Sequence, residues 1–299
     1  MLPLGPMSPA ACLASKWNID EDRVYAGGVQ REIGQNGGQV LAARGPLDIM
    51  DDMDGMDNRD ECTGAARESV SVNEEGRQKM ITLSTAEQDI VDAFARRRPD
   101  LSGCMGALRD AHAALVRCYD GGGTLYTCGN GGSNADAMHI VGELCKSFER
   151  KRPLAPEVAA RLRGLPFGEE LAAHLEAGLR AHALGFNGSL KTAVENDSPL
   201  RDIAFAQELN ALARPGDVLL ALSTSGNATN CLMAMSVAKA LGATTIALTG
   251  PKGGRMASCA DVAVRAPGDS TKEVQEAHIA LWHTLCCLIE AHHFPEPRG

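Results

Sequence analysis

Between residues 124 and 267 the chain alternates short apolar or β-branched runs with helical patterns, and this alternation limits its fold more than any other feature. The runs are TLYTC (124–128), LKTAV (190–194), DVLLALS (217–223), TTIALT (244–249) and VAVRAP (262–267). Short, nearly continuous apolar runs of this kind are expected to be strands buried on both faces. Helical patterns separate several of them, at 134–150, about 199–213 and 228–241. Strands alternating with helices build a parallel sheet covered on both sides, with ligands held outside the carboxyl ends of the strands. Two helices are expected ahead of the sheet. STAEQDIVDAFARR offers Ser84 or Thr85 as a cap, and LSGCMGALRDAHAALVRCYD ends at Gly121-Gly122-Gly123. An Ala/Leu/Glu/Arg-rich stretch at 156–183 breaks the rhythm and reads as an insertion of one or two extra helices.

Residues 1–79 carry no sustained periodicity. They hold 8 Lys/Arg and 14 Asp/Glu, a charge of −6 out of the chain's −9. The segment DIMDDMDGMDNRDE is acidic and broken by glycine, which fits a disordered, dispensable tail with Met80 as an alternative start. The expected division is therefore a tail at 1–79 and one domain at 80–299. No basic footprint for nucleic acid is present, so an anionic ligand would be held by a local site. No apolar run reaches the roughly 18–20 residues of a membrane span. The N-terminus lacks a signal-peptide pattern. The ten cysteines include no C-x-x-C pair, so a reduced, cytoplasmic protein is expected.

Two loops attract attention because each follows an expected strand and opens a helix. The first, Gly129-Asn130-Gly131-Gly132-Ser133, has glycines that admit positive φ and let a ligand approach the backbone. The helix start behind it aims unpaired N–H groups at an anion. The second, LSTSGNATN, supplies Ser223, Thr224 and Ser225, with Gly226 relaxing the turn and Asn227 able to cap the next helix. Neither loop is G-x-G-x-x-G or a P-loop. Each alone also reads as a turn capping its own helix; two after strands of one sheet point to a phosphate monoester.

His139 and Glu143 stand one turn apart on the helix opened by the first loop, close to any anion held there. That pair suits metal binding, a surface contact or acid–base work. A zinc hydrolase is disfavoured because H-E-x-x-H is absent. The last helix, about 271–291, carries Gln275, Glu276, His278 and His283. Gln275 and His283 lie about 80° apart around the axis, whereas His278 lies about 140° from His283. Spacing leaves the choice between the two histidines open. His292 and His293 read as a solvated terminus.

Four ordered motifs resemble the phosphoheptose isomerases of the sugar-isomerase (SIS) domain family: CGNGGSNADAMHIVGEL, VENDSPL, LSTSGNATN with ALTGPKGG, and VQEAHIALWHTL. The resemblance covers about residues 80–299 apart from the insertion. It implies a flavodoxin-like α/β fold with a helical N-terminal extension, and a homotetramer with sites at subunit interfaces. The implied reaction is isomerisation of sedoheptulose 7-phosphate to D-glycero-D-manno-heptose 7-phosphate. Carried over by motif position, Ser133, Ser223, Thr224 and Ser225 would hold the phosphate. Asn130, Asn196 and Asp197 would meet sugar hydroxyls, and Gly131, Gly132, Asn227 and Gln275 complete the substrate set. Glu143 and His283 would be the acid–base pair, and zinc in some members takes the positions of His139, Glu143, Gln275 and His283.

The chain departs from the familiar pattern at Asn134, where histidine is common, and at Ala228, where serine is frequent. Ser147 stands where arginine is frequent, with Lys146 beside it, and Lys272 where aspartate is frequent. The competing readings are a non-catalytic SIS regulator or initiator-binding protein and an isomerase for another sugar phosphate.

Overall fold

The computed structural model describes residues 82–295; the expectations for the 1–79 tail lie outside them. Five strands form one wholly parallel sheet: β1 Leu125–Gly129, β2 Ala181–Ala183, β3 Val218–Ser223, β4 Thr244–Thr249 and β5 Val262–Arg265. Their spatial order is β2-β1-β3-β4-β5, the flavodoxin-like order. Register is set by pairs such as Leu125↔Val218 and Ile246↔Val262.

β3 explains why the apolar runs are continuous. Val218, Leu220 and Leu222 face one core, and Leu219 and Ala221 face the other. Successive side chains point to opposite faces of a strand, so a strand covered on both sides is apolar at most positions, and a buried hydroxyl such as that of Thr127 bonds to a backbone carbonyl. The first core packs α1 (Thr85–Arg97), α2 (Met105–Asp120), α3 (Gly132–Cys145) and α10 (Thr271–His293) against the sheet. The second packs α7 (Ala204–Leu212), α8 (Thr229–Ala240) and α9 (Gly254–Cys259).

Ser84 is the cap of α1: its hydroxyl accepts from Glu87 N, and its N–H donates to the Glu87 carboxylate, a complete capping box. The second expected helix begins as a 3-10 turn at Pro99–Cys104 before α2. These two helices are the N-terminal extension.

Two expectations are corrected. LKTAV is not a strand but lies within α6 (Gly188–Asp197), whose cap is Asn187 accepting from Leu190 N. A capped, exposed helix outweighs five residues of strand-like composition. The missing edge strand is β2, at the end of the stretch read as a purely helical insertion. AHA is too short and too little buried to announce itself. The rest of the insertion is two short helices, α4 (Pro156–Leu162) and α5 (Gly168–His174).

A buried ion pair joins α3 to α10. Arg152 and Glu290 are both 0% exposed, and Arg152 Nε donates to Glu290 Oε1 at 2.7 Å. The other guanidinium nitrogens donate to the carbonyls of Leu144 and Glu143, which end α3 without helical partners. Glu290 also accepts from the backbone N–H groups of Phe148, Glu149 and Arg150. Removing one member strands the other as a buried charge, which costs about 3–5 kcal/mol. Arg152→Met or Glu290→Gln is expected to lose that much in urea unfolding, and Arg152→Met with Glu290→Leu less than the two losses summed. A loss below about 1 kcal/mol for each single variant would show that the pair holds nothing in place.

Candidate active site

The chain runs from β1 to β2 on one side and reaches β3 on the other side of β1, so the topological switch lies between β1 and β3. Both glycine- and serine-rich loops open there. Gly131 caps α3 at φ 56°, a conformation that favours glycine. A side chain on Gly129 would strike the Ser133 carbonyl at 2.6 Å, and one on Gly132 would strike the Gln275 amide at 2.6 Å. Gln275 of α10 is therefore packed directly on the first loop. Ser133 is buried.

In the second loop Ser223 is buried, and its hydroxyl accepts from Gly226 N. Gly226 has φ 66° and abuts the Gly253 carbonyl, so the β3–α8 and β4–α9 turns interlock. Asn227 does not cap α8, whose cap is Ala228 without a side-chain bond. Its oxygen accepts from Arg255 N at the start of α9, and its amide donates to the Ser225 carbonyl. The polar side chain is thus spent on bracing two loops. Thr224, Ser225 and Asn227 line a cleft of about 300 Å³ with Lys252 and Ser270 on its wall.

A second cleft, of about 420 Å³, borders the first loop and is lined by Asn130, Asn134, Lys191, Glu195 and Asn230 among others. Asn130 and Asn230 exchange two amide hydrogen bonds, at 2.9 and 2.8 Å, tying the first loop to α8. Asn196 and Asp197 lie exposed at the end of α6, bonded to each other at 2.9 Å. From α6 it is Lys191 and Glu195 that line the cleft.

Farther along α3 and α10 the acid–base candidates meet. His139 Nε2 is 2.9 Å from Glu143 Oε1, and donor atoms of His139, Glu143 and His283 all lie within 4.8 Å of one another. The other Glu143 oxygen is buried without a hydrogen bond, with the Lys146 ammonium 3.6 Å away. Burial, reinforced by His139 and opposed by Glu143, holds the His283 imidazole below its ordinary pKa, so it is neutral near pH 7. Its ring packs between Trp282 and Phe148 and faces a cleft of about 370 Å³ shared with Ile90, Phe94 and Arg97 of α1. Two imidazoles and a carboxylate at this spacing are a donor set that fits zinc. Gln275 sits at the loop end of the same helix pair.

Two residues to which the sequence assigned no role, Asp136 and Arg152, also bear on the site. Asp136, buried one turn before His139, has its pKa raised by burial and pulled back by His139 and the Trp282 indole. Ser147, at the arginine position, accepts from Arg152 N, and the Arg152 guanidinium occupies the end of α3. Neither relation has a local sequence signal.

A SIS domain model matches residues 102–180 and 172–250. A phosphoheptose isomerase from Rhodospirillum rubrum is 37% identical over 207 residues, covering 68% of this chain and 97% of the relative. A probable phosphoheptose isomerase from Thermoplasma volcanium is 36% identical over 67% of this chain and 87% of its own. Among solved structures, phosphoheptose isomerase GmhA from Neisseria gonorrhoeae is similar with a TM-score of 0.52 and 30% identity, covering 68% of this chain and 98% of that one. The chain is an α/β phosphosugar isomerase. It belongs to the SIS-domain phosphoheptose isomerase family.

His278, the other histidine considered on α10, is fully buried, and neither ring nitrogen makes a well-aligned hydrogen bond. Burial pushes its pKa down to about 4 from 6.5, with the Thr249 carbonyl partly opposing. Between those values the unfolded chain binds a proton that the folded chain does not, so this stabilisation is present above about 6.5 and lost as pH falls toward 4. The pH slope of the unfolding free energy in that window should shrink by about one proton in His278→Asn. An unchanged slope would mean that His278 is not held neutral.

Proposed function

We propose that this chain interconverts an aldose and a ketose phosphate through an enediol, with sedoheptulose 7-phosphate and D-glycero-D-manno-heptose 7-phosphate as the substrate pair. The observation that carries the reading is the meeting of His139, Glu143 and His283 where α3 and α10 cross. The curated relatives named phosphoheptose isomerase support the sugar.

Moving a carbonyl between C1 and C2 requires a proton to leave one carbon and another to return to its neighbour. The Glu143 carboxylate takes the carbon proton and gives it back to the adjacent carbon. Neutral His283 accepts and returns the hydroxyl proton as the carbonyl changes position. The phosphate, remote from the reacting carbons, is held by Ser133, Ser223, Thr224 and Ser225 with the helix-start amides, and that binding energy positions the carbons. Asn130, Asn196, Asp197 and Gln275 meet the sugar, and Gly131, Gly132 and Asn227 shape the loops around it. His139, Glu143 and His283 with Gln275 would hold a zinc ion, which supplies Lewis-acid stabilisation of the enediolate oxygen.

A homotetramer with sites at subunit interfaces is part of this proposal. It rests on the motifs this chain shares with the phosphoheptose isomerases. A cytoplasmic setting is also part of this proposal, supported by the lack of any C-x-x-C pair among the ten cysteines of the sequence. Among the described residues, no helix is long and apolar enough to cross a membrane.

The deciding experiment is NMR of sedoheptulose 7-phosphate incubated with the protein in deuterated water. Deuterium is expected at C1 or C2, with Glu143→Gln and His283→Ala slowing incorporation at least about 100-fold while substrate still binds. Saturable binding without exchange would instead mark a phosphosugar sensor. Chelation is expected to slow the exchange and zinc to restore it; an unaffected rate would remove metal from the reaction.

A further inference from the structure

A second cluster of ligating side chains lies away from the loops, where the helical extension meets the end of the chain. Glu87 of α1, His112 of α2 and His292 of α10 bring donor atoms within 4.8 Å of one another. Glu87 and His112 are each 1% exposed, and the His292 side chain is 28% exposed. We propose that Glu87, His112 and His292 form a structural site for a divalent transition metal of the zinc type, clamping α1 and α2 to the last turn of α10.

The geometry of one oxygen carries the argument. Glu87 Oε2 is engaged by the Ser84 N–H at 2.6 Å, so the carboxylate presents Oε1 inward. That atom lies 3.1 Å from His112 Nε2 and 3.0 Å from His292 Nδ1. Bonds of 2.0–2.1 Å to a tetrahedral zinc put neighbouring donors about 3.3 Å apart, close to both spacings. His112 is the second observation. It is buried, its Nε2 faces Oε1, and neither of its ring nitrogens is aligned for a hydrogen bond. Buried polar atoms rarely go without a partner, and a lone-pair bond to a metal supplies one. The Leu288 carbonyl lies beside the same ring, where a metal-ligating imidazole sends its other N–H. Two imidazoles and one carboxylate leave a single negative charge for a divalent ion to offset. The exposed edge of His292 leaves a fourth position to water, as in sites with three protein ligands.

The site has a structural consequence for the isomerase. Ile90, Phe94 and Arg97 of α1 form one wall of the His283 cleft, and Glu87 fixes the first turn of that helix. His292 and His293 are not a solvated end in any case: their side chains are only 28% and 16% exposed, and His292 Nδ1 lies 3.0 Å from Glu87 Oε1.

The full-length chain carrying His139→Ala and His283→Ala, which silences the other donor set, is titrated with Co²⁺. One ion per chain with the visible bands of tetrahedral cobalt is expected. Zinc at about 100 times its Kd should raise the thermal midpoint by roughly 5–10 °C. Adding His292→Ala, a change at the partly exposed ligand, should abolish both effects and leave the midpoint in chelator within about 2 °C. Should the double variant fail to fold, zinc content of the otherwise unmodified chain is compared with that of His292→Ala and Glu87→Gln, each expected to hold one ion fewer. Absence of bound cobalt, or stoichiometry unmoved by those substitutions, would overturn the site and leave a plain hydrogen-bonded hub.

Discussion

The Arg152–Glu290 pair is the contact on which the site geometry rests. A charge pair taken wholly out of water is tolerated only when its remaining donors and acceptors are satisfied. Here the guanidinium also donates to two carbonyls at the end of α3, and the carboxylate accepts three further backbone N–H groups. The result fixes the last turn of α3 against α10 at Glu290, seven residues beyond His283. Glu143 contributes one of those carbonyls, so the backbone that carries the proposed base is itself held by the pair. Phe148, stacked on His283, has its N–H on Glu290.

α10 links the regions of the molecule that matter for chemistry. Its start borders the hydroxyl-lined cleft, Gln275 presses on Gly132 of the first loop, His283 faces the cleft shared with α1, and Glu290 anchors the end of α3. A helix rises about 1.5 Å per residue, so one rigid element spaces these groups over a length that loops could not maintain. The glycines serve the same economy of space: at Gly129, Gly132 and Gly226 a β-carbon would enter a neighbouring backbone or amide. Tight turns at the carboxyl ends of β1 and β3 are what let two helix starts open side by side.

Much of this was legible along the chain because burial of a strand on both faces writes itself as a continuous apolar run. β1, β3, β4 and β5 were found that way. The order and spacing of the glycine, serine and histidine motifs marked the family as well. Residues 190–194 and 181–183 escape this rule because an edge strand contributes little burial, whereas an exposed capped helix can contain a strand-like run. Asn227 looked like a helix cap because a local rule fits it; a long-range partner, Arg255 N, claimed its oxygen instead. Asn230, Asp136 and Arg152 gave no local sign, since what defines each is a partner far off in sequence or a degree of burial.

The sequence by itself determined the parallel sheet, the two glycine- and serine-rich loops that open helices, and the shared face of His139 and Glu143, because periodicity and turn chemistry are local properties. Helical spacing left open which histidine of α10 joins that face; the family motif pointed to His283, and helix packing sets it beside Glu143. The 140° between His278 and His283 sends one into the core and the other toward Glu143. Tertiary structure alone decided that Glu87, His112 and His292 meet, since residues separated by up to 205 positions become neighbours only when three helices pack.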